Sequence, residues 1–250
     1  MCKKTAKSLF KDKTNIYVSE CLSTNDFLTH LTKNNNLGEG TTVMTDYQVK
    51  GKGQRNNMWE SKKKKNLLFS LLLKPDIPLS DRFKLHIIIS LAIKETLTKL
   101  GIKGVKVKWP NDIYIKDKKI SGILIESQIF NKKIKQVVIG IGLNINQNNF
   151  DDLNATSILK ESGGNESDIN HVTNLLNTAI EKRYLDINKN IEELKLEYIA
   201  NLYKLNTDQN FANNKNIFVG RIVDVDNDGR IIIKVNGNRE KFDFGSVRIL

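Results

Sequence analysis

Between Val105 and Asn146 the sequence reads as three β-strands on very short turns, and this limits the folds open to the chain more than any other stretch. Val105 to Ile115, Ile120 to Phe130 and Ile134 to Asn146 are separated only by Lys116-Asp-Lys-Lys119 and Asn131-Lys-Lys133. Turns of that length return the chain antiparallel to itself, so the segment is expected to form a meander. Gly122, Gly140 and Gly142 lie inside these strands. Glycine weakens a strand and there often marks close approach of a ligand or another backbone; a bulge is the competing reading.

The remaining elements are arranged around this meander. Ile16-Tyr-Val-Ser19 is a short strand, and Ser23-Thr-Asn-Asp26 opens a helix to about Asn34. Ser-x-x-Asp is by itself a helix N-cap signature, the hydroxyl taking an orphan backbone N–H. Thr41 to Thr45 reads as a strand, and Leu67-Leu-Phe-Ser-Leu-Leu-Leu73 as a buried one ended by Pro75. Arg82 to Leu100 carries Leu85, Ile88, Ile89, Ala92, Ile93, Thr96, Leu97 and Leu100 at helical spacing, with Gly101 as the stop. Ile87 and Leu91 widen the stripe, so this helix is expected to be covered on much of its circumference and its His86 to be packed. Phe150 to Asn165 is polar with a break at Gly163-Gly164, helices follow over about 168–185 and 189–203, and Asn206 to Asn216 reads as a linker. Short apolar runs separated by Asn, Asp and Gly turns then describe a small all-β module, large enough only for a compact barrel.

A chain of 250 residues has room for about two domains and a proper core. No apolar run reaches the roughly 18 residues of a membrane span, and no apolar signal region follows Met1-Cys-Lys-Lys-Thr5, so a cytoplasmic protein is expected. Cys2 and Cys21 are too few for a disulfide framework or a zinc site, and His30, His86 and His171 show no ligand spacing. The net charge of +12 fits a nucleic-acid surface. Lysine is spread through the chain, however, and only Lys62-Lys-Lys-Lys65 forms a block, which favours a solvated surface and leaves an acidic protein partner open.

The chemically suggestive residues lie in Tyr47 to Trp59 and in the meander. Gly51-Lys-Gly53 fits neither helical nor strand periodicity, so it reads as a loop whose backbone can approach a ligand. Neither Gly51-x-Gly53 nor Gly140-x-Gly142 has the third glycine of a dinucleotide fingerprint. Asp224-x-Asp226-x-Asp228-Gly229 lacks a carboxylate at its twelfth position, Val235, and reads as a hairpin turn rather than a calcium loop. Lys52, Arg55, Lys108 and Lys119 supply cations, Asp112 a carboxylate, and Trp59 and Trp109 apolar walls. Ser23, Thr24, Asn25 and Gln48 can both donate and accept. Phosphate or carboxylate chemistry by electrostatics is the natural candidate. From spacing alone each cation could equally be a solvated lysine and each tryptophan ordinary core.

Four motifs in order carry a resemblance. Ser23-Thr-Asn25, Gly51-Lys-Gly-Gln-Arg-Asn-Asn-Met-Trp59, Lys108-Trp-Pro-Asn-Asp112 with Lys119-Ile-Ser-Gly122, and Gly140-Ile-Gly-Leu-Asn144 are similar to the bacterial biotin protein ligases, over about 19–146 and more weakly beyond. The resemblance implies an α+β fold: a mixed, mostly antiparallel sheet flanked by helices, akin to class II tRNA synthetases, over 1–205, with a C-terminal SH3-like barrel over 212–250. It implies an ATP-dependent ligase that forms biotinyl-5′-AMP and passes biotin to a lysine of a biotin carboxyl carrier domain, with magnesium carried by the ATP and no protein metal site. Ser23, Thr24, Asn25 and Gln48 would hold the biotin head with Gly51, Lys52, Gly53 and Gln54. Trp59 and Gly122 would line the tail. Lys119 would neutralise the carboxylate and then the acyl-phosphate, and Asp112 would orient the incoming amine, with Arg55 as a third catalytic group. Lys52, Gln54, Arg55, Asn111, Lys119 and Asn144 would contact the nucleotide.

The sequence departs from the common loop Gly-Arg-Gly-Arg-Arg-Gly at Lys52, Gln54 and Asn56. Lysine keeps the charge without a bidentate fork, and Gln54 points to leakage of the adenylate; the loop is expected to order when ligand binds. About a dozen residues precede the first strand, too few for a helix-turn-helix, so no operator binding is expected. A monomer or a homodimer both fit. Lipoate ligation is the nearest rival activity; a basic nucleic-acid-binding protein is the rival of another class.

Overall fold

The computed structural model describes residues 10, 13–151, 153–185, 187, 190–214 and 216–250, leaving aside the side chain of Asn56. The expectations placed on Met1 to Thr5, on Cys2 and on Lys189 lie outside the described residues. In chain order the first half comprises β1 (Asn15–Val18), α1 (Thr24–Asn34), β2 (Thr42–Thr45), β3 (Leu67–Leu73), β4 (Ile77–Pro78) and α2 (Phe83–Lys99). The meander follows as β5 (Val105–Lys108), β6 (Asp112–Ile115), β7 (Lys118–Phe130) and β8 (Lys133–Leu143). Then come α3 (Ile158–Glu161), α4 (Ile169–Leu185), α5 (Ile191–Ala200), β9 (Asp208–Asn213), β10 (Ile217–Val225), β11 (Ile231–Val235), β12 (Asn238–Phe242) and β13 (Val247–Ile249).

The main sheet runs in the order β1-β2-β3-β8-β7-β6-β5, with β4 also paired to β8. Among the described strands of this sheet only the β1–β2 pair is parallel. The mixed, mainly antiparallel sheet with flanking helices is therefore as expected, except that the meander has four strands. Lys108 pairs directly with Asp112, so Trp109-Pro-Asn111 is a hairpin turn and not mid-strand. Proline has no N–H to give to a ladder, which ends the strand there.

All seven residues of β3 are buried because both its faces are covered. Leu67, Phe69, Leu71 and Leu73 enter the large core with α2, whereas Leu72 packs with Leu28 of α1, Val43 and Val138. Ser70, on the α1 side, is the one polar residue in the strand. α2 is buried on nearly all sides, as its wide stripe implied. It packs on β5–β7 and against α4 and α5, where Arg183 of α4 bonds Glu95 of α2 at 3.0 Å and holds both carboxylate oxygens of Glu197 of α5. Among the described residues, no helix is long and apolar enough to cross a membrane.

The second sheet has the order β12-β11-β10-β9-β13. Its pairing is an open path among the described residues rather than the closed ring of a barrel. The stretch expected as a linker, Asn206 to Asn216, contains β9, which lies between β10 and β13. Phe211, buried to 1% exposure, anchors that strand, and its polar neighbours concealed it in the sequence. Ile217 to Val225 forms one continuous strand, β10, through Gly220. The aspartates at 224–228 close the β10–β11 hairpin, Asp226 accepting the N–H of Asp228 and of Arg230.

The two sheets meet through aromatic rings. Phe83 of α2 lies beside His86 and Phe244, and Trp109 packs edge-on against Phe244 at 5.3 Å. His86 is buried with its Nδ1 unpartnered, and burial pushes its pKa down from 6.5 to about 4. The unfolded chain binds that proton near pH 6.5 and the folded chain only near 4. The contribution is therefore intact above 6.5 and lost as pH falls toward 4, to the extent of roughly 3 kcal/mol. His86→Phe is expected to lose less stability than the parent between pH 6.5 and 4.5 in denaturant titrations. Equal slopes for the two proteins would contradict this account of His86.

Candidate functional site

The side-chain alternation of β5 to β8 gives the sheet two chemically different faces. Val105, Val107, Ile113 and Ile115 point into the α2 core, and their neighbours Lys106, Lys108, Asp112 and Tyr114 are only half-buried on the other side. Gly122 pairs with Gly142, and Gly140 lies two residues along the same strand, so the three form one patch of bare backbone. A Cβ at Gly140 would sit 2.5 Å from the Asn25 Oδ1, and one at Gly142 would overlap the Trp59 indole. At Gly122 a Cβ would meet Trp59 at 3.0 Å and the Lys119 side chain at 3.2 Å. These glycines mark close approach, and what approaches is the protein's own Asn25 and Trp59.

Above this floor is a cavity of about 270 Å³. Ser23, Thr24, Asn25, Gln48, Lys52, Gly53, Gln54, Arg55 and Trp59 line it, as do Asn111, Asp112, Lys119 and Gly122. Gly51 and Asn144 do not. Gly51 faces an adjoining cavity of about 360 Å³ that shares Gln48, Met58 and Trp59 with the first and adds Lys62, Lys63, Phe150 and Leu153. Asn144 is buried behind the wall, its Nδ2 donating to the Thr156 carbonyl at 3.0 Å. The C-terminal sheet contributes Phe211, Ile222, Ile231, Val247, Arg248 and Ile249, none of which the sequence reading selected.

At one end of the floor is a polar cluster at the start of α1. Ser23 occupies the N-cap position, but its hydroxyl makes no cap bond. Gln48 takes over that work: its Oε1 accepts from the Thr24 backbone N–H at 2.8 Å and from the Thr24 hydroxyl at 3.0 Å. This fixes the Gln48 amide with its NH2 group as the donor left for a ligand. The Asn25 amide is occupied by protein groups, with Nδ2 on Glu126 at 2.8 Å and Oδ1 accepting from Ser70 at 2.6 Å. With these partners Asn25 shapes the floor of the cavity that it lines. Ser70 and Glu126 escaped the sequence reading; a lone serine inside an apolar strand was the available signal.

At the other end Lys119 Nζ lies 2.8 Å from Asp112 Oδ1, an ion pair without hydrogen-bond alignment, and 5.6 Å from the centre of the Trp59 ring. The Trp59 Nε1–H is buried and unpartnered. Asn111 is tied to β7 by Nδ2–H to the Ile123 carbonyl at 2.9 Å.

The stretch expected as a loop is a small hairpin. Lys52 pairs with Met58, Trp59 N–H donates to the Gly51 carbonyl at 2.9 Å, and Gln54–Asn56 forms a 3-10 turn. Lys52 bonds Asp26 of α1 at 2.6 Å, which raises its pKa. Arg55, in the left-handed region with φ 56°, donates to the carbonyls of Phe244 and Gly245. Two backbone carbonyls of the turn between β12 and β13 hold the guanidinium, at the edge of the cavity that Arg55 helps to line.

Gly142→Ala is expected to unseat Trp59, overpacking of this kind costing about 1–3 kcal/mol. Tryptophan emission should shift to the red and trypsin should cut faster after Lys52 or Arg55. Unchanged emission and cutting would show that Trp59 does not depend on the bare backbone.

The chain is similar to several known proteins in sequence and in fold. Residues 18–144 match the Biotin/lipoate A/B protein ligase family, and residues 211–249 the Biotin protein ligase C terminal domain. The bifunctional ligase/repressor BirA of Bacillus subtilis is 30% identical over 227 residues, 89% of this chain and 70% of that protein. The biotin–[acetyl-CoA-carboxylase] ligase of Mycobacterium tuberculosis is 26% identical, over 84% of this chain and 79% of its own. A biotin protein ligase from Aquifex aeolicus, solved in complex with biotin and ATP, superposes with a TM-score of 0.79 at 25% identity, covering 96% of this chain and 99% of its own. With two thirds of a 30%-identical relative covered and over half of its length matching the family model, the chain belongs to the biotin protein ligase family.

Proposed function

We propose that the protein activates biotin with ATP as biotinyl-5′-AMP and transfers it to a lysine of a biotin carboxyl carrier domain, using the residues gathered on the glycine floor. Membership of the family makes the chain an ATP-dependent biotin ligase. The observation supporting these residue roles is an order: the Thr24–Gln48 cluster beside Gly140, the indole over Gly142 and Gly122, then the Lys119–Asp112 pair. Biotin has the same order of groups, a ureido head, an apolar tail and a carboxylate.

In this reading the Gln48 NH2 group and Ser23 meet the ureido ring, and Trp59 covers the tail. Lys119 draws the carboxylate to the α-phosphate. The carboxylate oxygen forms the new bond to phosphorus while the bond to the β-phosphate breaks. Negative charge then builds on the acyl-phosphate oxygens beside the Lys119 ammonium, so its attraction is stronger in the transition state than in the ground state. Asp112, next to it, is placed to orient the incoming lysine amine. Lys52, Gln54 and Asn111 are assigned to the nucleotide phosphates, and the adjoining cavity across Trp59, with Lys62 and Lys63, to the rest of the nucleotide. The phosphate-facing groups are mainly cations and one carboxylate already paired, and no cluster of three or more His, Cys, Asp or Glu side chains stands among the described residues. That donor set fits magnesium held largely by phosphate oxygens and water, where it would neutralise triphosphate charge. With ATP as co-substrate, the cytoplasm is the proposed compartment.

Biotin-dependent ATP–pyrophosphate exchange is the decisive assay, and its absence would remove the reading. Lys119→Ala should lower exchange by roughly 100-fold or more while leaving the melting temperature in place; retained exchange would take Lys119 out of the mechanism. Gln54→Arg should reduce the free biotinyl-5′-AMP found in solution during turnover. Equal release from both proteins would refute a leak at Gln54.

A further inference from the structure

Five cationic side chains line the first cavity: Lys52, Arg55, Lys108, Lys119 and Arg248. Three are already engaged, Lys52 by Asp26, Lys119 by Asp112 and Arg55 by two backbone carbonyls. Arg248 is exposed on β13, where water solvates it. Lys108 differs from all four. It is half-buried and, among the described residues, has no carboxylate within ion-pair distance. Its ammonium donates to the Tyr114 hydroxyl at 3.2 Å and lies 4.6 Å from the centre of that ring and 6.0 Å from that of Tyr203, another wall of the cavity.

One of three N–H groups is used in that contact. Two tyrosine rings give an ammonium some attraction but no counter-charge. Burial works against the charge and lowers the Lys108 pKa, while the nearby Asp112 carboxylate pulls it back up. Asp112, however, is ion-paired with Lys119 at 2.8 Å. A partly desolvated cation with spare donors is costly unless an anion completes its shell. Lys108 pairs across the sheet with Asp112, which puts it on the reacting face.

We propose that Lys108 is a binding and catalytic contact for the pyrophosphate leaving group, an assignment that rests on the ligase reading above. When the carboxylate oxygen bonds to the α-phosphorus, the bond from that phosphorus to the bridging oxygen breaks and its electron pair leaves with pyrophosphate. No proton transfer is needed, and the departing oxygen gains charge that a waiting ammonium stabilises. The second half-reaction contains no pyrophosphate, so Lys108 has nothing to stabilise there.

The two half-reactions separate this role from a structural one. Lys108→Met and Lys108→Arg would be compared with the parent in two assays on the full chain. One is biotin-dependent ATP–pyrophosphate exchange with pyrophosphate varied; the other is transfer to a carrier domain from purified biotinyl-5′-AMP. Lys108→Met is expected to lower kcat/KM for pyrophosphate by roughly 10- to 100-fold, the range for losing one charge-assisted contact, with transfer changed by less than about twofold on the scale of a lost contact. Lys108→Arg should recover part of the exchange. Equal losses in both assays, or unchanged kcat/KM for pyrophosphate, would overturn the proposal. If Lys108→Met fails to fold, Lys108→Arg decides, since a displaced charge must still alter exchange more than transfer. Absence of biotin-dependent exchange in the parent protein would instead remove the ligase reading, and this assignment with it.

Discussion

Asn25 and Trp59 both rest on the bare backbone of β7 and β8, and the rest of the site depends on that contact. The sheet offers three neighbouring positions without a Cβ, so an amide from α1 and an indole from the 51–59 hairpin can lie directly on it. Nothing larger than hydrogen at Gly140 would leave room for the Asn25 amide between Ser70 and Glu126. A filled, fully bonded polar cluster in a low-dielectric interior is stiff, because each displaced group would be left unpaired. The start of α1 is thereby fixed, and with it the direction in which Gln48 presents its donor.

The sheet separates stability from chemistry by the period-two alternation of its side chains. One set of residues on β5 to β8 packs against α2; the other carries Lys108, Asp112, Lys119 and the glycines. Buried isoleucines and valines on the core side hold the strands at fixed register, so the charged groups opposite them keep their spacing without long side chains having to order themselves. The C-terminal sheet closes the remaining side. Trp109 donates to the Gly229 carbonyl at 2.8 Å, and Arg55 reaches the carbonyls at 244–245. Residues from both motifs thus join the two sheets as well as bordering the cavity.

Much of this was legible in the chain before folding. Apolar periodicity identified α2 and β3, short turns identified the meander, and glycines inside strands pointed to close approach. The errors have physical causes. β9 was missed because five of its six residues are polar or small and one phenylalanine supplies the burial. The turn at Trp109-Pro-Asn111 was read as strand because alternation continues on both sides of it. At Arg55 the sequence shows that a guanidinium is present and not which acceptors lie within its reach.

The sequence by itself determined most of the elements, the antiparallel sheet, the polar and cationic residue types and the family, since each follows from local periodicity or from short contiguous motifs. Only the tertiary structure decided which of those groups have partners. Hydrogen bonds and ion pairs form between residues 24 and 101 positions apart in the chain as readily as between neighbours. Saturation of Asn25, the hold of the second sheet on Arg55 and the lack of a counter-ion at Lys108 are properties of distance in space, on which the order of residues is silent.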